Sequence, residues 1–328
     1  MKVRIKGMLL ITLLFLNKEE IIMAEITASM VKELREATNA GMMDCKKALA
    51  ACDGDMEKAV DFLREKGLAQ AAKKSGRVAA EGIASIAISA DGKKGVVVEV
   101  NSETDFVAKN EEFKEFVNNV AKLAVESNFS DVEELKNVKY FDQNETVQEV
   151  LTAKIAKIGE NMNIRRIESV EVSNGTVAGY IHGAGKIAVI VGLETEASGS
   201  ELEELGKDIA MQVAAMNPKY VTKDDVDQEY LAHEREILIA QALNEGKPQN
   251  IVEKMVEGRL QKELKDICLV EQVFVKDSDL TIGKLIDNVA KKLGKSIKIA
   301  GVRRFEVGEG LEKKSENFAE EVAKQMNM

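Results

Sequence analysis

Apolar residues in the first part of the chain recur every three to four positions, which predicts three short helices over residues 24–78. In the second helix the apolar face includes Met42, Cys45, Ala48 and Leu49. The third is predicted to close at Lys66-Gly67, a pattern typical of a helix C-terminus. Three helices of this length make a bundle too small for a catalytic cavity, so we expect a docking module.

From residue 82 onward the pattern changes to that of strands. Residues 82–90 and 96–100 flank a Gly-rich and polar turn at 91–95, which predicts a β-hairpin. A helix over 110–126, a second over 147–158 and a strand over 164–168 are predicted to follow. The chain thus changes from an all-helical segment to a mixed one.

The mixed unit then repeats. VVVEVNSET at 96–104 aligns with IAVIVGLET at 187–195, and the Arg-Arg strand of 164–168 recurs at 302–306. A helical hairpin, 224–266, is inserted between the helices of the second copy. We therefore predict an α+β fold: an N-terminal three-helix bundle, then a duplicated β-hairpin and helix core around a pseudo-twofold axis, with an inserted antiparallel helical hairpin.

The predicted domain organisation follows from these boundaries. It comprises seven segments: a leader (1–23), the three-helix domain (24–78), the first core half (79–172), the start of the second half (173–223), the inserted hairpin (224–266), the completion of the second half (267–310) and a C-terminal helix (311–328). The leader has basic residues before the apolar run 8–16, but it lacks a small-residue cleavage site and is too short to span a bilayer. Two readings stay open: translation starts at Met23, or the extension is genuine.

The stretch 104–110, Thr-Asp-Phe-Val-Ala-Lys-Asn, lies between a predicted strand and a predicted helix. Phe106 either folds under the helix as a local plug or stays exposed to contact a partner. The second copy has Thr195-Glu196-Ala197-Ser198 at the equivalent place. Because this copy keeps no bulky residue there, an aromatic ring is not needed to seal the turn, and we predict that Phe106 contacts a partner.

Composition and motifs argue against an enzyme. The formal net charge of −10 disfavours a large nucleic-acid surface, and three cysteines without a CxxC pair fit a reducing compartment. The chain contains no phosphate-binding loop, zinc-protease motif or nucleophile elbow. His182 is predicted to be a surface contact or structural donor. Each Arg-Arg pair is predicted to expose one arginine and to pair the other with an acid.

Several segments together resemble the bacterial elongation factor Ts family. They are 24–49, TDFVAKN at 104–110, IGENMNIRR at 158–166, YIHG at 180–183, GKP at 246–248, MVEGR at 255–259 and RRFEVGEG at 303–310. The resemblance covers about residues 24–328. The three-helix bundle also resembles ubiquitin-associated (UBA) domains.

The resemblance implies a guanine-nucleotide exchange factor for elongation factor Tu, the GTPase that delivers aminoacyl-tRNA. It implies that Thr104, Asp105, Phe106 and Val107 act beside the Mg²⁺ and phosphates of the GTPase. Further partner contacts are expected from Met42, Met43, Tyr180 and His182, although core filling remains an alternative for the two methionines. No cofactor, metal ligand, membrane contact or direct nucleic-acid contact is expected, and the expected location is the cytoplasm, with one factor per GTPase.

Two competing hypotheses remain. The first is a plain scaffold that uses the helical bundle to hold another chain and leaves nucleotide affinity unchanged. The second, a secreted or membrane-attached protein, rests only on the apolar run 8–16, and the unpaired cysteines count against it.

Overall fold

The computed structural model describes residues 26–312, except for 39, 128, 130 and 142–143. The predicted leader and the predicted C-terminal helix at 317–326 lie outside these residues. Helices and antiparallel strands alternate along the described chain, which confirms the α+β class. The chain forms two compact units: one runs to Ser75 and includes Thr152–Gly159, and the other consists of Gly76–Leu151 and the residues from Glu160 onward.

The part of the first unit before Ser75 forms three helices in the described residues, α1 (Ala28–Thr38), α2 (Met42–Ala51) and α3 (Met56–Lys74). Asp55 caps α3 by accepting a hydrogen bond from the backbone N–H of Lys58. The helices enclose a small core made of Val31, Leu34, Cys45, Ala48, Leu49 and Ala59. The small residues among them, Cys45, Ala48 and Ala59, allow the short helices to approach closely.

The predicted end of the third helix at Gly67 is wrong, because α3 continues to Lys74. Gly67 is buried inside the helix, and a Cβ atom there would lie 3.8 Å from the Cβ of Ala156. Ala156 belongs to the segment Thr152–Gly159 of the same unit. The glycine therefore lies against a packed segment instead of ending the helix, and tertiary contacts outweigh its poor helix propensity.

The second unit contains two three-stranded antiparallel sheets. The first consists of β1 (Glu81–Ile88), β2 (Lys94–Ser102) and β3 (Met162–Glu171), in that order. The second consists of β4 (Gly175–His182), β5 (Ile187–Glu194) and β8 (Lys298–Glu306), also in that order. Each sheet is a hairpin followed by a strand that carries an Arg-Arg pair.

A core of aliphatic residues and Phe305 joins the two sheets. It draws residues from all six strands: Ala84, Val97, Val170, Val177, Ala188, Ile190 and Phe305. The approach is close at Gly179, where a Cβ atom would lie 2.3 Å from the Cδ1 of Ile86. A larger side chain at this position would therefore require the Ile86 side chain to move.

Helices cover the sheets. Helix α5 (Glu111–Glu126) packs on β1 and β2, α8 (Ser200–Met216) packs on β4 and β5, and α11 (Ile282–Leu293) packs on α8. Three shorter or connecting helices are α4 (Asp105–Lys109), α6 (Val132–Lys136) and α7 (Val147–Ile158). The strands β6 (Val273–Phe274) and β7 (Asp277–Thr281) form a small antiparallel hairpin that was not predicted from the sequence.

The inserted segment forms an antiparallel helix pair, α9 (Gln228–Asn244) and α10 (Gln249–Ile267). The Tyr230 hydroxyl donates to Glu263, and Arg235 pairs with Glu257, so the start of α9 lies beside the end of α10. The carboxylate of Glu263 raises the pKa of the Tyr230 hydroxyl because ionisation would place two anions together. Among the described helices, none is long and apolar enough to cross a membrane.

The prediction for the first Arg-Arg pair is wrong. Arg165 and Arg166 both donate to one carboxylate, that of Glu99, which is fully buried on β2. The pairing of β2 with β3 shifts so that Glu99 faces Arg166 and Val100 faces Ile164, which leaves Arg165 as the extra residue of a β-bulge. The bulge interrupts the alternation of side chains, so both arginines reach the same acid.

In the second pair the alternation holds. Arg303 is exposed and pairs with Glu168, whereas the side chain of Arg304 is 10% exposed and donates to Glu306 at 2.8 Å. The register shift in this sheet falls before the arginines, between Gly192 and Leu193 of β5. One arginine therefore points outward, and the other pairs with an acid on the opposite side.

Candidate functional site: the exposed turn after the second strand

The turn after β2 is a single helical turn, α4, with a cap at each end. The hydroxyl of Thr104 accepts the backbone N–H of Val107 at 3.4 Å, and Asn110 accepts that of Glu112 at 2.8 Å to start α5. Asp105 in the first turn and Lys109 in the last form an ion pair at 2.6 Å. The hydrogen bond from Lys109 lowers the pKa of Asp105, so this carboxyl is charged at neutral pH.

Phe106 lies on the outer face of this turn with 80% of its surface exposed. Its neighbours Val107 and Ala108 point the other way and are buried. The Lys109 ammonium lies 5.9 Å from the centre of the Phe106 ring. The aromatic ring is therefore not a local plug under the following helix: buried aliphatic neighbours anchor the turn, and the ring faces solvent.

A second segment of the same unit holds the turn in place. The carboxylate of Glu160 accepts both the backbone N–H and the hydroxyl of Thr104, at 3.0 and 2.7 Å. In return, the carboxylate of Glu103 accepts the backbone N–H of Asn161 at 2.6 Å. Each of the two segments contributes one carboxylate acceptor and one backbone N–H donor, so these hydrogen bonds fix the position of one segment against the other.

Tyr180 and His182 lie together at the end of β4. The Tyr180 hydroxyl and the Nδ1 of His182 are 3.0 Å apart, and their ring centres are 6.0 Å apart. Tyr180 packs against the core between β5 and α8, while His182 is exposed. The partly buried phenol thus orients an exposed imidazole, whose neighbours in the turn are Gly183 and Ala184. Among the described residues, no Ser, Thr or Cys side chain forms a hydrogen bond with either ring.

Met42 and Met43 are the first two residues of α2 and belong to the other compact unit. They are 61% and 63% exposed, so neither fills the core of the helical bundle. Methionine is a flexible and polarizable side chain that adapts to irregular apolar surfaces. Two adjacent methionines are therefore exposed to solvent on this unit.

The residues chosen from the sequence therefore include three exposed apolar side chains and an oriented imidazole. Sequence reasoning missed Glu103, Glu160 and Asn161. Glu160 and Asn161 belong to the IGEN segment of the resemblance, at 158–161, but no local pattern indicates that they or Glu103 make a contact. Among the described residues, no group of three or more His, Cys, Asp or Glu side chains gathers in a way that would hold a metal ion. Rigid elements that carry exposed apolar side chains are characteristic of protein-docking surfaces.

Comparison with known proteins identifies the class. The family model Elongation factor TS matches residues 103–309. The chain is 62% identical over 304 residues to the Elongation factor Ts of Clostridioides difficile (strain 630), covering 93% of this chain and 100% of that protein. It is 61% identical over 303 residues to the Elongation factor Ts of Clostridium novyi (strain NT), covering 92% and 99%. It is 57% identical over 301 residues to that of Clostridium acetobutylicum, covering 92% and 98%.

A protein with this surface and these relatives is a translation elongation factor. The chain belongs to the Elongation factor Ts family.

Proposed function

We propose that the chain is a guanine-nucleotide exchange factor for elongation factor Tu. It acts by binding the GTPase and promoting release of GDP, so that GTP can bind, and it catalyses no covalent step. Membership of the Elongation factor Ts family supports this assignment. The observation that carries the mechanism is the exposed ring of Phe106 on a turn that is capped and fastened to a neighbouring segment.

The proposed mechanism is competition between the factor and the nucleotide. Mg²⁺ in a nucleotide site requires near-octahedral coordination, so small movements of the surrounding loops weaken its binding and that of the phosphates. Insertion of Phe106 beside this site would produce such movements. If the factor binds the empty GTPase more tightly than the GDP-bound one, thermodynamic linkage requires that it weaken GDP binding by the same ratio.

The free energy gained by burying the Phe106 ring limits how much that ring alone can weaken GDP binding. Burial of one phenylalanine side chain stabilises a complex by about 1.5–3 kcal/mol, equivalent to about ten- to a hundredfold in affinity. Any larger acceleration requires further contacts, for which Asp105, Met42, Met43 and His182 are candidates. Thr104 and Val107 would support the site as cap and anchor, and Tyr180 would orient His182.

The direct test is release of a fluorescent GDP analogue from elongation factor Tu of a clostridial species. With excess unlabelled GDP present, addition of the chain is expected to accelerate release by more than about tenfold and to saturate as its concentration rises. A scaffold would bind the GTPase in a sedimentation or interferometry experiment but leave the release rate unchanged. Association without acceleration would therefore contradict the proposal.

The methionine pair yields a separate prediction. The double substitution Met42→Ala with Met43→Ala should raise the concentration of factor that gives half-maximal GDP release by about tenfold, because two adaptable apolar contacts are lost. Because both side chains are exposed, thermal stability should change by less than about 0.5 kcal/mol. Titration of release rates, together with a melting curve, checks both parts; Phe62→Ala, at an exposed phenylalanine on α3, is the control.

The remaining structural assignments form part of the same proposal. The three-helix unit is a UBA-like docking module, and the seven-segment domain organisation inferred from the sequence describes how the docking elements are arranged along the chain. The duplicated hairpin and helix core supplies both halves of a rigid framework within one chain, which supports one factor per GTPase. A partner that acts in translation also places the protein in the cytoplasm, without direct contacts to nucleic acid or membrane.

A further inference from the structure

The Phe106 turn is too short to be stable by itself. Helix α4 contains five residues, and isolated helices of this length do not form in water because nucleation is costly. Contacts from outside the helix must therefore supply its stability. Among the described polar side chains, that of Glu160 makes two hydrogen bonds to the N-terminal residue of this turn, Thr104.

The second copy of the core provides an internal comparison. The segment KIGENM at 157–162 aligns with KLGKSI at 292–297, so Lys295 occupies the position of Glu160. The Lys295 ammonium binds Glu196 at 2.6 Å, and Glu196 is the counterpart of Asp105. In both copies the residue after the helix-terminal glycine thus holds the turn that follows a strand.

The two copies differ in what they hold. Lys295 makes a single contact between two flexible and exposed side chains, which restrains the backbone little. Glu160 instead binds a backbone N–H and the cap hydroxyl, so it fixes the direction in which the helical turn begins. The pair of hydrogen bonds to Thr104 therefore occurs in the copy that carries the exposed aromatic ring.

We propose that Glu160 is a positioning residue for Phe106: by gripping Thr104 it holds the turn in the orientation in which the ring enters the partner. The inference rests on the proposed exchange function. Glu160 itself need not touch the GTPase. Its hydrogen bonds supply the stability that a five-residue helix lacks. The turn is therefore already ordered before binding, and binding costs less conformational entropy.

A double-mutant cycle tests this role. Glu160→Ala is expected to slow GDP release at saturating factor by about tenfold, the size expected when charge-assisted hydrogen bonds that orient a reacting group are removed. In the Phe106→Ala background the same substitution should have almost no further effect, because the ring through which it acts is absent. An equal fold-loss in both backgrounds would show a general structural role and overturn the proposal.

A matched control and a second readout separate the possible failures. Lys295→Ala, at the equivalent position of the second copy, should leave GDP release unchanged. Amide hydrogen exchange of the chain alone should become faster at Thr104 and Val107 in Glu160→Ala, while α5 stays protected. If the rates of hydrogen exchange at these two amides are unchanged, the proposal is overturned, whatever the effect of the substitution on GDP release.

The kinetic outcomes are also distinguishable. If Phe106→Ala slows release but Glu160→Ala does not, the positioning role fails and the proposed exchange mechanism stands. If the Phe106→Ala variant accelerates GDP release from the GTPase as much as the parent does, insertion of the ring is not the mechanism of exchange. The positioning role then fails with it.

Discussion

Phe106→Ala is expected to reduce the acceleration of GDP release about ten- to a hundredfold, the equivalent of losing one buried phenylalanine side chain from the complex. The ring is 80% exposed in the free protein, so its removal should leave folding stability within about 0.5 kcal/mol of the parent. Stopped-flow release of a fluorescent GDP analogue measures the first effect, and thermal unfolding measures the second.

A second exposed phenylalanine provides the matched control. Phe141 is 42% exposed in the same compact unit and contacts Tyr140 edge to face. Phe141→Ala should therefore leave the release rate unchanged. Near-normal acceleration by Phe106→Ala would rule out the wedge, whereas an equal loss in both variants would point to a general effect on the fold.

Glu99→Ala should have the largest effect on stability, about 3–5 kcal/mol, because it removes the acid from a buried charge cluster. The fully buried carboxylate accepts hydrogen bonds from Arg165, Arg166, Asn101 and the backbone N–H of Gly308. Without it, two arginines and two neutral donors each lose one acceptor. Denaturant unfolding followed by circular dichroism measures the change.

The cluster also joins the two three-stranded sheets. Arg165 donates in addition to the backbone carbonyl of Glu309, and Arg166 donates to that of Glu306 and stacks 4.2 Å from the ring of Phe305. Glu168→Ala, which breaks the exposed pair with Arg303, is the control and should cost less than about 1 kcal/mol. A loss of similar size in both variants would contradict a special role for the buried acid.

The same cluster predicts a pH dependence. Burial by itself would raise the pKa of Glu99, but hydrogen bonds from Gly308, Asn101 and Arg166 outweigh it and lower the pKa. The stabilisation is therefore present above the unfolded-state value of about 4.3 and is lost as pH falls below it toward the folded-state pKa. Glu99→Gln should flatten this acid limb of the stability curve; an unchanged slope would contradict the assignment.

Gly308 shows why this network was not visible in the sequence. Its backbone adopts φ of +75°, and a Cβ atom would lie 2.3 Å from the carbonyl oxygen of Ala80. Only glycine allows the chain to turn there and present its N–H to Glu99. The residues Gly308-Glu309-Gly310 are typical of a turn, but the acceptor lies 209 positions earlier in the chain.

Local patterns predicted much of the fold and part of the site. The strand alternation and the repeated hairpin are short-range features, and the contrast between Phe106 and Ala197 comes from comparing the two copies. The comparison of the two copies predicts an exposed Phe106. For Met42 and Met43 the sequence leaves burial open, because an apolar residue at a helix start fits both a core and a docking surface. Burial depends on what packs against the residue, and periodicity alone does not specify that.

Secondary structure, duplication and the position of the exposed turn were thus determined by the sequence itself, because period, capping and repeats are encoded in neighbouring residues. Tertiary structure decided three other features: the continuation of α3 through Gly67, the meeting of Arg165 and Arg166 on one carboxylate, and the grip of Glu160 on Thr104. Each depends on a partner that is distant along the chain or on a bulge that shifts the strand register. Such contacts exist only once the chain has packed, since their energy comes from burial and from geometry that no local pattern contains.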